Sequence, residues 1–220
     1  PSGDRIGYMR GNQAVLARSA DGTGAEEQLV APGPDALVPG SWSADGRTLA
    51  LTRVASAQDI LFLTPGDKPL MFEADAFAPA FSPDGRFIAY ASPASGIRNV
   101  FVRSTRGEGK WQVSSEPGGD PKWSGDSREL FYLATGQPQR SLIVVAVESG
   151  PGFRAGPPRV VADVSRYLTS TAPVVDWDAA PDGRRFVFVE AERAKNEGTR
   201  IDVALHWARH LAAAPPAPAP

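Results

Sequence analysis

A short turn motif recurs five times along the chain at nearly regular intervals. Each copy joins a tight turn to a run of mostly apolar residues, as in "SPDGRFIAY" from Ser82. A period of about 40 residues with several short strands per unit is typical of β-propeller blades. The residues that close the turns are Gly3, Gly46, Gly85, Ser127 and Gly183, spaced 43, 39, 42 and 56 residues apart. The repeat therefore predicts an all-β propeller with about five blades in this chain.

The residues of each turn explain why the chain reverses there. In the copy at Ser82, Pro83 fixes φ, Asp84 accepts backbone N–H groups, and Gly85 tolerates the positive φ that closes the turn. The aspartates could instead line one end of a central channel and attract a cation, but bonding to their own turns is the favoured interpretation. We therefore predict a structural turn role for Asp45, Gly46, Asp84, Gly85, Asp126, Asp182 and Gly183.

Four strand segments are predicted for each repeat. The first leads into the turn, and the second, such as 87–90, is apolar on both faces and therefore buried on both sides. A third segment ("DILFLT", "NVFVRS", "SLIVVAVE") and a weaker fourth ("EQLVA", "PLMFE", "KWQVS", "RVVAD") complete the blade. Trp42, Phe81 and Trp123 precede their turns at one offset, and we expect them to pack between blades.

The predicted blade limits leave two blades incomplete. The first blade has no segment for its first strand, and the fifth, whose third strand is predicted at 200–211, has none for its fourth. A closed propeller has no exposed strand edges. These gaps therefore predict that the chain is a piece of a longer ring and that this piece self-associates through its open edges. The blades span about 1–35, 36–75, 76–117, 118–168 and 169–211, and a disordered Pro/Ala tail is expected at 212–220.

Composition excludes several classes of function. The formal charge of −2 argues against nucleic-acid binding, which normally requires a basic surface. No run approaches 18 apolar residues, so no membrane span is predicted, and the absence of cysteine excludes disulfides and thiolate metal sites.

The motif "SPDGRFIAY" resembles the TolB-type propeller repeat, and this resemblance covers nearly the whole chain. The runs "GKWQVSSEPGGDPKWSGDSRELFYL" (109–133), "FRAGPPRVV" (153–161), "APDGRRFVFV" and "LHW" are similar to the C-terminal sensor region of bacterial serine/threonine kinases. That resemblance implies an extracytoplasmic, periplasmic-side module and a ring of about six blades, of which this chain is the C-terminal part. Ser2 and Ser127 depart from the repeat but are tolerated turn residues.

A search for catalytic chemistry finds no candidate site. No G-x-S-x-G motif is present, so the hydrolase domain of a prolyl-oligopeptidase-type enzyme would lie elsewhere. His206 and His210 would lie about 13 Å apart on a strand, which is too far to share a metal. Two histidines also make a carbohydrate lyase or hydrolase the weaker hypothesis. We predict a non-catalytic binding module without a cofactor, with a peptidase gating propeller or a TolB-like periplasmic scaffold as alternatives.

Propeller geometry favours partner binding at the face opposite the Asp-Gly turns. Loops that enter the first strands meet the loops between second and third strands there. Arginine with tyrosine, as at Arg166-Tyr167, is the composition favoured at interface hot spots. The candidates for a protein, peptide or small-ligand site are Asp75, Arg98, Asp120, Arg140, Arg166 and Tyr167, although ordinary solvated loop residues remain an alternative.

Overall fold

The computed structural model describes residues 3–11, 14–106, 109–136, 140–149, 152–167 and 174–190. Every element in these ranges is a β-strand, and every pairing between neighbouring strands is antiparallel. The predicted all-β class is confirmed. The predicted strand at 200–211, His206, His210 and the tail at 212–220 lie outside the described residues.

The strands form successive sheets that follow chain order. Blade 1 contains β1 (Arg5–Arg10), β2 (Ala14–Ser19) and β3 (Glu27–Val30), and blade 2 contains β4 (Ala36–Trp42), β5 (Leu49–Val54), β6 (Gln58–Leu63) and β7 (Leu70–Glu73). Blade 3 contains β8 (Phe77–Phe81), β9 (Phe87–Ser92), β10 (Asn99–Ser104) and β11 (Lys110–Gln112). Blades 2 and 3 are four-stranded meanders with the strands in sequence order.

Blades 4 and 5 depart from this pattern. Blade 4 contains β12 (Gly118–Trp123), β13 (Glu129–Ala134), β14 (Ser141–Ser149), β15 (Phe153–Ala155) and β16 (Arg159–Asp163), and blade 5 contains β17 (Trp177–Ala179) and β18 (Phe186–Phe188) among the described residues. The first part of β14 pairs with β16 and its last part pairs with β15. The sequence predicted only the β16 segment, because β15 is three residues long and carries no turn motif.

Apolar faces of neighbouring blades pack against each other to form the core. Four clusters of buried side chains lie between consecutive blades, from the pair 1 and 2 to the pair 4 and 5. Trp123 of blade 4 shows the contact clearly, because its Nε1–H donates to the Ala80 carbonyl of blade 3 at 2.9 Å. Phe153 of β15 packs at 5.3 Å from Phe87, so the unpredicted strand also joins blades 3 and 4.

A bulge interrupts the first strand of blades 3 and 4 at the same place. The register shifts between Phe77 and Ala80 in blade 3, and between Gly119 and Lys122 in blade 4. Ala78 and Asp120 each adopt a left-handed φ within these bulges, of 52° and 54°. Bulges redirect side chains, and in blade 4 the redirected residue is a carboxylate.

Candidate functional site

The two ends of the blades carry different sets of polar residues. First strands run toward the Asp-Gly turns, second strands run away from them, and third strands return. The end with the turns is called the turn end here, and the opposite end is called the loop end. The six binding candidates lie at the loop end: five are in loops between strands, and Asp120 is in the bulge near the start of β12.

At the turn end, the aspartates bond within their own turns. One carboxylate oxygen accepts the hydroxyl of the serine two residues earlier, at 2.6 Å for Asp45, 2.5 Å for Asp84 and 2.7 Å for Asp126. The same oxygen accepts the N–H two residues later at 3.1 Å in each case. Residue 180 is alanine, so Asp182 has no serine hydroxyl; it accepts the Arg184 N–H at 3.0 Å and pairs with Arg185 Nε at 3.3 Å. Each of these carboxylates therefore forms hydrogen bonds within its own turn.

Backbone conformation and charge at the turn end agree with that arrangement. The turns close at positive φ, with 68° at Gly46, 71° at Gly85 and 64° at Gly183, and Ser127 adopts 61° without being glycine. Hydrogen bonds from serine hydroxyls and backbone N–H groups lower the pKa of Asp45 and of Asp126, and the Arg184 N–H lowers that of Asp182.

A further turn of this kind joins β2 to β3. Asp21 accepts the Ser19 hydroxyl at 2.7 Å and the Thr23 N–H at 2.8 Å, and these bonds lower its pKa to about 2. The sequence "SADG" at 19–22 repeats that at 43–46, so a motif search within the blade could have found it. The same hydrogen-bonded turn between a serine and an aspartate therefore recurs at the turn end.

At the loop end, the structure brings Arg98 and Asp120 together. Partial burial raises the pKa of the Asp120 carboxyl. The positive charges of Arg98 and Lys122 lower this pKa, and the negative charge of Asp176 raises it further. The Arg98 guanidinium lies 5.8 Å from the centre of the Phe77 ring. Charges from blades 3, 4 and 5 therefore meet around one half-buried carboxylate.

Sequence reasoning missed two members of this charged cluster, Lys122 and Asp176. Asp176 precedes the turn of blade 5 by the same number of residues as Asp120 precedes that of blade 4. Lys122 Nζ lies 3.4 Å from the carboxylate of Asp178, which joins the inner strands of blades 4 and 5. Comparing the residues that precede each turn, and not only those that follow it, would have identified these residues.

Arg140, Arg166 and Tyr167 form a second group at the loop end. The Ser165 hydroxyl accepts the Arg140 N–H at 2.9 Å, which fixes the two loops to each other. Arg166 pairs with Glu190 at 3.0 Å and lies 5.1 Å over the Tyr167 ring. In this second group, the exposed guanidinium of Arg166 therefore lies over the aromatic ring of Tyr167.

Asp75 lies apart from both groups. Its backbone N–H donates to the Asp59 carboxylate at 3.2 Å, and Asp59 pairs with Arg53 at 2.5 Å. The Asp75 side chain is exposed, and its φ of 49° is left-handed.

Two further features of the described residues bear on chemistry. Within the described ranges, no three His, Cys, Asp or Glu side chains converge as metal ligands, and no helix is long and apolar enough to cross a membrane. A cleft of about 290 Å³ opens at the turn end between blades 2 and 3, beside Asp45, Asp84 and Phe81.

Comparison with known proteins agrees with the observed blades. No family model matches the chain. The chain is 29% identical to the Tol-Pal system protein TolB of Anaeromyxobacter dehalogenans over 120 residues. This match covers 52% of this chain and 27% of that protein. The crystal structure of TolB from Acinetobacter baumannii superposes with a TM-score of 0.64 at 14% identity, covering 90% of this chain and 49% of that one.

The fold is that of a TolB-like β-propeller. Other solved structures superpose as well, including a gluconolactonase from Xanthomonas campestris, with a TM-score of 0.60 at 13% identity over 81% of this chain and 63% of that one. A prolyl endopeptidase gives 0.55 at 15% identity over 85% of this chain and 31% of that one. The match spans about a quarter of the curated TolB relatives, and identities this low establish the fold alone.

Proposed function

We propose that this chain is a non-catalytic propeller module that binds a protein partner through its loop end. The observation that carries the proposal is the contrast between the two ends. At the turn end, one carboxylate oxygen of each aspartate bonds within its own turn, whereas at the loop end charges from three blades surround Asp120.

The chemistry of the loop end suits a polypeptide partner with both charges and an aromatic or apolar group. Arg98 and Lys122 supply cations, Asp120 and Asp176 supply anions, and Arg166 on Tyr167 supplies an exposed planar surface. Tyrosine and arginine are enriched among residues that dominate binding energy, and mixed charges set register and partner choice. The TolB relatives are named for a multi-protein system, which supports a protein rather than a small molecule as the partner.

The test compares charge reversals at the two ends of the blades. The chain is immobilised and exposed to bacterial envelope extract, and retained proteins are quantified by mass spectrometry. The loop-end variant carries Arg98→Glu and Arg166→Glu, and the turn-end control carries Arg47→Glu and Arg128→Glu at exposed positions. A partner that binds the loop end is retained by the control but falls at least about tenfold with the loop-end variant, since buried charge pairs govern such complexes.

Two outcomes contradict this proposal. One is the retention of no protein above a bead control. The other is an equal loss with both variants, which would show that net charge rather than the loop end decides retention. Thermal melts of both variants are compared with that of the native chain. Arg166 pairs with Glu190 and lies over the Tyr167 ring, and Arg98 offsets the burial of Asp120, so retention is compared at a temperature at which both variants are folded.

We also propose that the module is extracytoplasmic and belongs to the sensor region of a bacterial serine/threonine kinase. This finer assignment is supported by the resemblance of 109–133, 153–161 and the motif at Ala180 to that region. A kinase domain and a membrane helix encoded with these residues would support it, and a hydrolase domain would favour the gating propeller instead. A TolB-like scaffold is supported if neither is found. Protease added to intact spheroplasts should cleave an extracytoplasmic module, and protection from protease contradicts that location.

A further inference from the structure

The cleft between blades 2 and 3 combines aromatic rings with charges of both signs. Phe62 and Phe81 line it with partly exposed rings whose centres lie 5.1 Å apart. Asp45, Asp84 and Arg106 line it as well, and all three are exposed to water. Its volume of about 290 Å³ is close to the lower limit for small-molecule sites, about 300 Å³. Both blades are complete four-stranded sheets, so an open strand edge is not the origin of this cleft.

The next pair of blades shows what fills the equivalent position. Counted from the turns, Thr48 of blade 2 corresponds to Phe87 of blade 3, and Phe81 of blade 3 corresponds to Trp123 of blade 4. Phe153 of β15 packs on both of these larger side chains, with ring centres 5.3 Å from Phe87 and 6.5 Å from Trp123. Blade 3 has no counterpart of β15 among the described residues. The cleft is therefore open at the place where an apolar side chain lies between blades 3 and 4.

The two carboxylates at the cleft have hydrogen-bonding capacity left. In Asp45 and in Asp84, Oδ1 accepts the serine hydroxyl and the N–H of its own turn. The other oxygen, Oδ2, accepts no hydrogen bond from the part of the chain that the structure describes. A Cβ atom added to Gly85 would lie 3.2 Å from the Cβ of Ala44, so the two turns pack against each other. Two free carboxylate oxygens are thus available at one cleft.

Arg106 supplies the opposite charge. Its backbone N–H donates to the Ser104 hydroxyl at 3.3 Å, whereas its guanidinium forms no hydrogen bond or ion pair with any described residue. A guanidinium binds a carboxylate through two parallel hydrogen bonds. The cleft therefore offers anionic acceptors, cationic donors and apolar rings to a single ligand.

We propose that this cleft binds a small zwitterion that carries an apolar side chain, a chemistry shared by free apolar amino acids and short peptides. Its ammonium group bonds to the free oxygens of Asp45 and Asp84, and its carboxylate pairs with Arg106. Its apolar side chain packs on Phe62 and Phe81, as a ring of the protein does between blades 3 and 4. The site lies at the turn end, so this proposal does not depend on what the loop end binds.

The test is a titration of L-phenylalanine into the 15N-labelled 220-residue chain at pH 7. The amide signals of Gly46, Gly85 and Thr105 report binding at the cleft. We expect a dissociation constant of about 1 to 10 mM, as is usual for a ligand with so few atoms. Phenethylamine lacks the carboxylate and 3-phenylpropionate lacks the ammonium group, so each should bind at least about threefold more weakly. Tighter binding of the dipeptide phenylalanylglycine than of phenylalanine assigns the site to a peptide, and weaker binding assigns it to a free amino acid.

Variants of the cleft separate its charges from its shape. Asp45→Asn keeps the oxygen that bonds within the turn and replaces the free one by an amide NH₂, so we expect phenylalanine to bind about three- to fivefold more weakly. Arg106→Gln should have an effect of similar size on phenylalanine and leave phenethylamine unaffected. Thr48→Phe introduces the ring that Phe87 provides in blade 3, and it should weaken binding by about tenfold or more by filling the cleft. Asp126→Asn is the matched control, because Asp126 forms the same turn bonds outside the cleft and should leave affinity unchanged.

Three results overturn the proposal. The first is the absence of a saturable shift at the three reporter amides up to the solubility limit of phenylalanine. The second is equal affinity for phenylalanine and for phenethyl alcohol, which carries neither charge. The third is a loss with Asp126→Asn as large as that with Asp45→Asn, which would show that the turn aspartates act only through folding. If Thr48→Phe does not fold, the variants of Asp45 and Arg106 decide.

Discussion

The second strands of blade 3 and blade 1 share a motif and differ in environment. All six residues of β9 are buried, whereas no residue of β1 is. Each strand pairs with the third strand of its own blade in an equivalent register, so the blade itself does not account for the difference. Blade 3 has packed blades on both sides and an inner strand, which are what bury β9. Burial in this fold is therefore supplied by neighbours, as expected for a repeat that cannot cover its own faces.

The largest expected effect compares Ile88 with Ile6. Ile88→Ala creates a cavity where the side chain is fully enclosed, so we expect a loss of about 2 to 5 kcal/mol in unfolding free energy. Ile6→Ala removes a side chain that is already half in water, and we expect a loss below about 1 kcal/mol. Urea titrations of both variants, followed by tryptophan fluorescence, measure the difference. Equal losses would show that blade 1 is buried as deeply as blade 3.

An intermediate effect tests the contact between blades directly. Gly125 lies where blade 4 meets blade 5, and an added Cβ would come within 2.8 Å of the Pro181 carbonyl oxygen. That oxygen also accepts the Gly125 N–H at 2.8 Å. We expect Gly125→Ala to destabilise the chain by about 1 to 3 kcal/mol, because backbone atoms cannot yield as a flexible side chain does.

Gly33→Ala is the matched control for this substitution. An added Cβ at Gly33 meets nothing within 4 Å, and we expect a change within about 0.5 kcal/mol. Differential scanning calorimetry on the two variants checks the prediction. If both alanine variants melt together with the native chain, the packing of blade 4 on blade 5 does not contribute to stability.

Sequence could predict the turn end in detail because its contacts are local. Each turn aspartate bonds to groups two residues away, so the motif contains nearly the whole arrangement. The loop-end cluster was only half predicted, since Arg98, Asp120 and Asp176 belong to three blades and meet only after those blades stack. β15 was missed for a related reason: three residues gain their strand conformation from β14 and from Phe153 packing against blade 3.

The stacking of blades also encloses Asp120, and there the effect on stability has the opposite sign. Burial raises the pKa of Asp120 above its unfolded value, so the charged form disfavours folding. This penalty is present in full above the folded pKa and disappears as the pH falls below the unfolded pKa, near 3.9. We expect Asp120→Asn to stabilise the chain at pH 7, because asparagine lacks the charge and tolerates the left-handed backbone at this position.

The gain from Asp120→Asn should vanish near pH 3, where aspartate is neutral in both states. Asp126→Asn, at the turn end of the same blade, is the control with the reverse sign. Hydrogen bonds lower the pKa of Asp126, so its stabilising contribution is present at pH 7 and is lost as the pH falls through the lowered value. The urea-unfolding midpoints of both variants at pH 3 and pH 7 measure these opposite effects on stability. A destabilising Asp120→Asn at pH 7 would show that stacking the blades does not impose a cost on this carboxylate. A stabilising Asp126→Asn would show that the turn hydrogen bonds do not favour the charged form of Asp126.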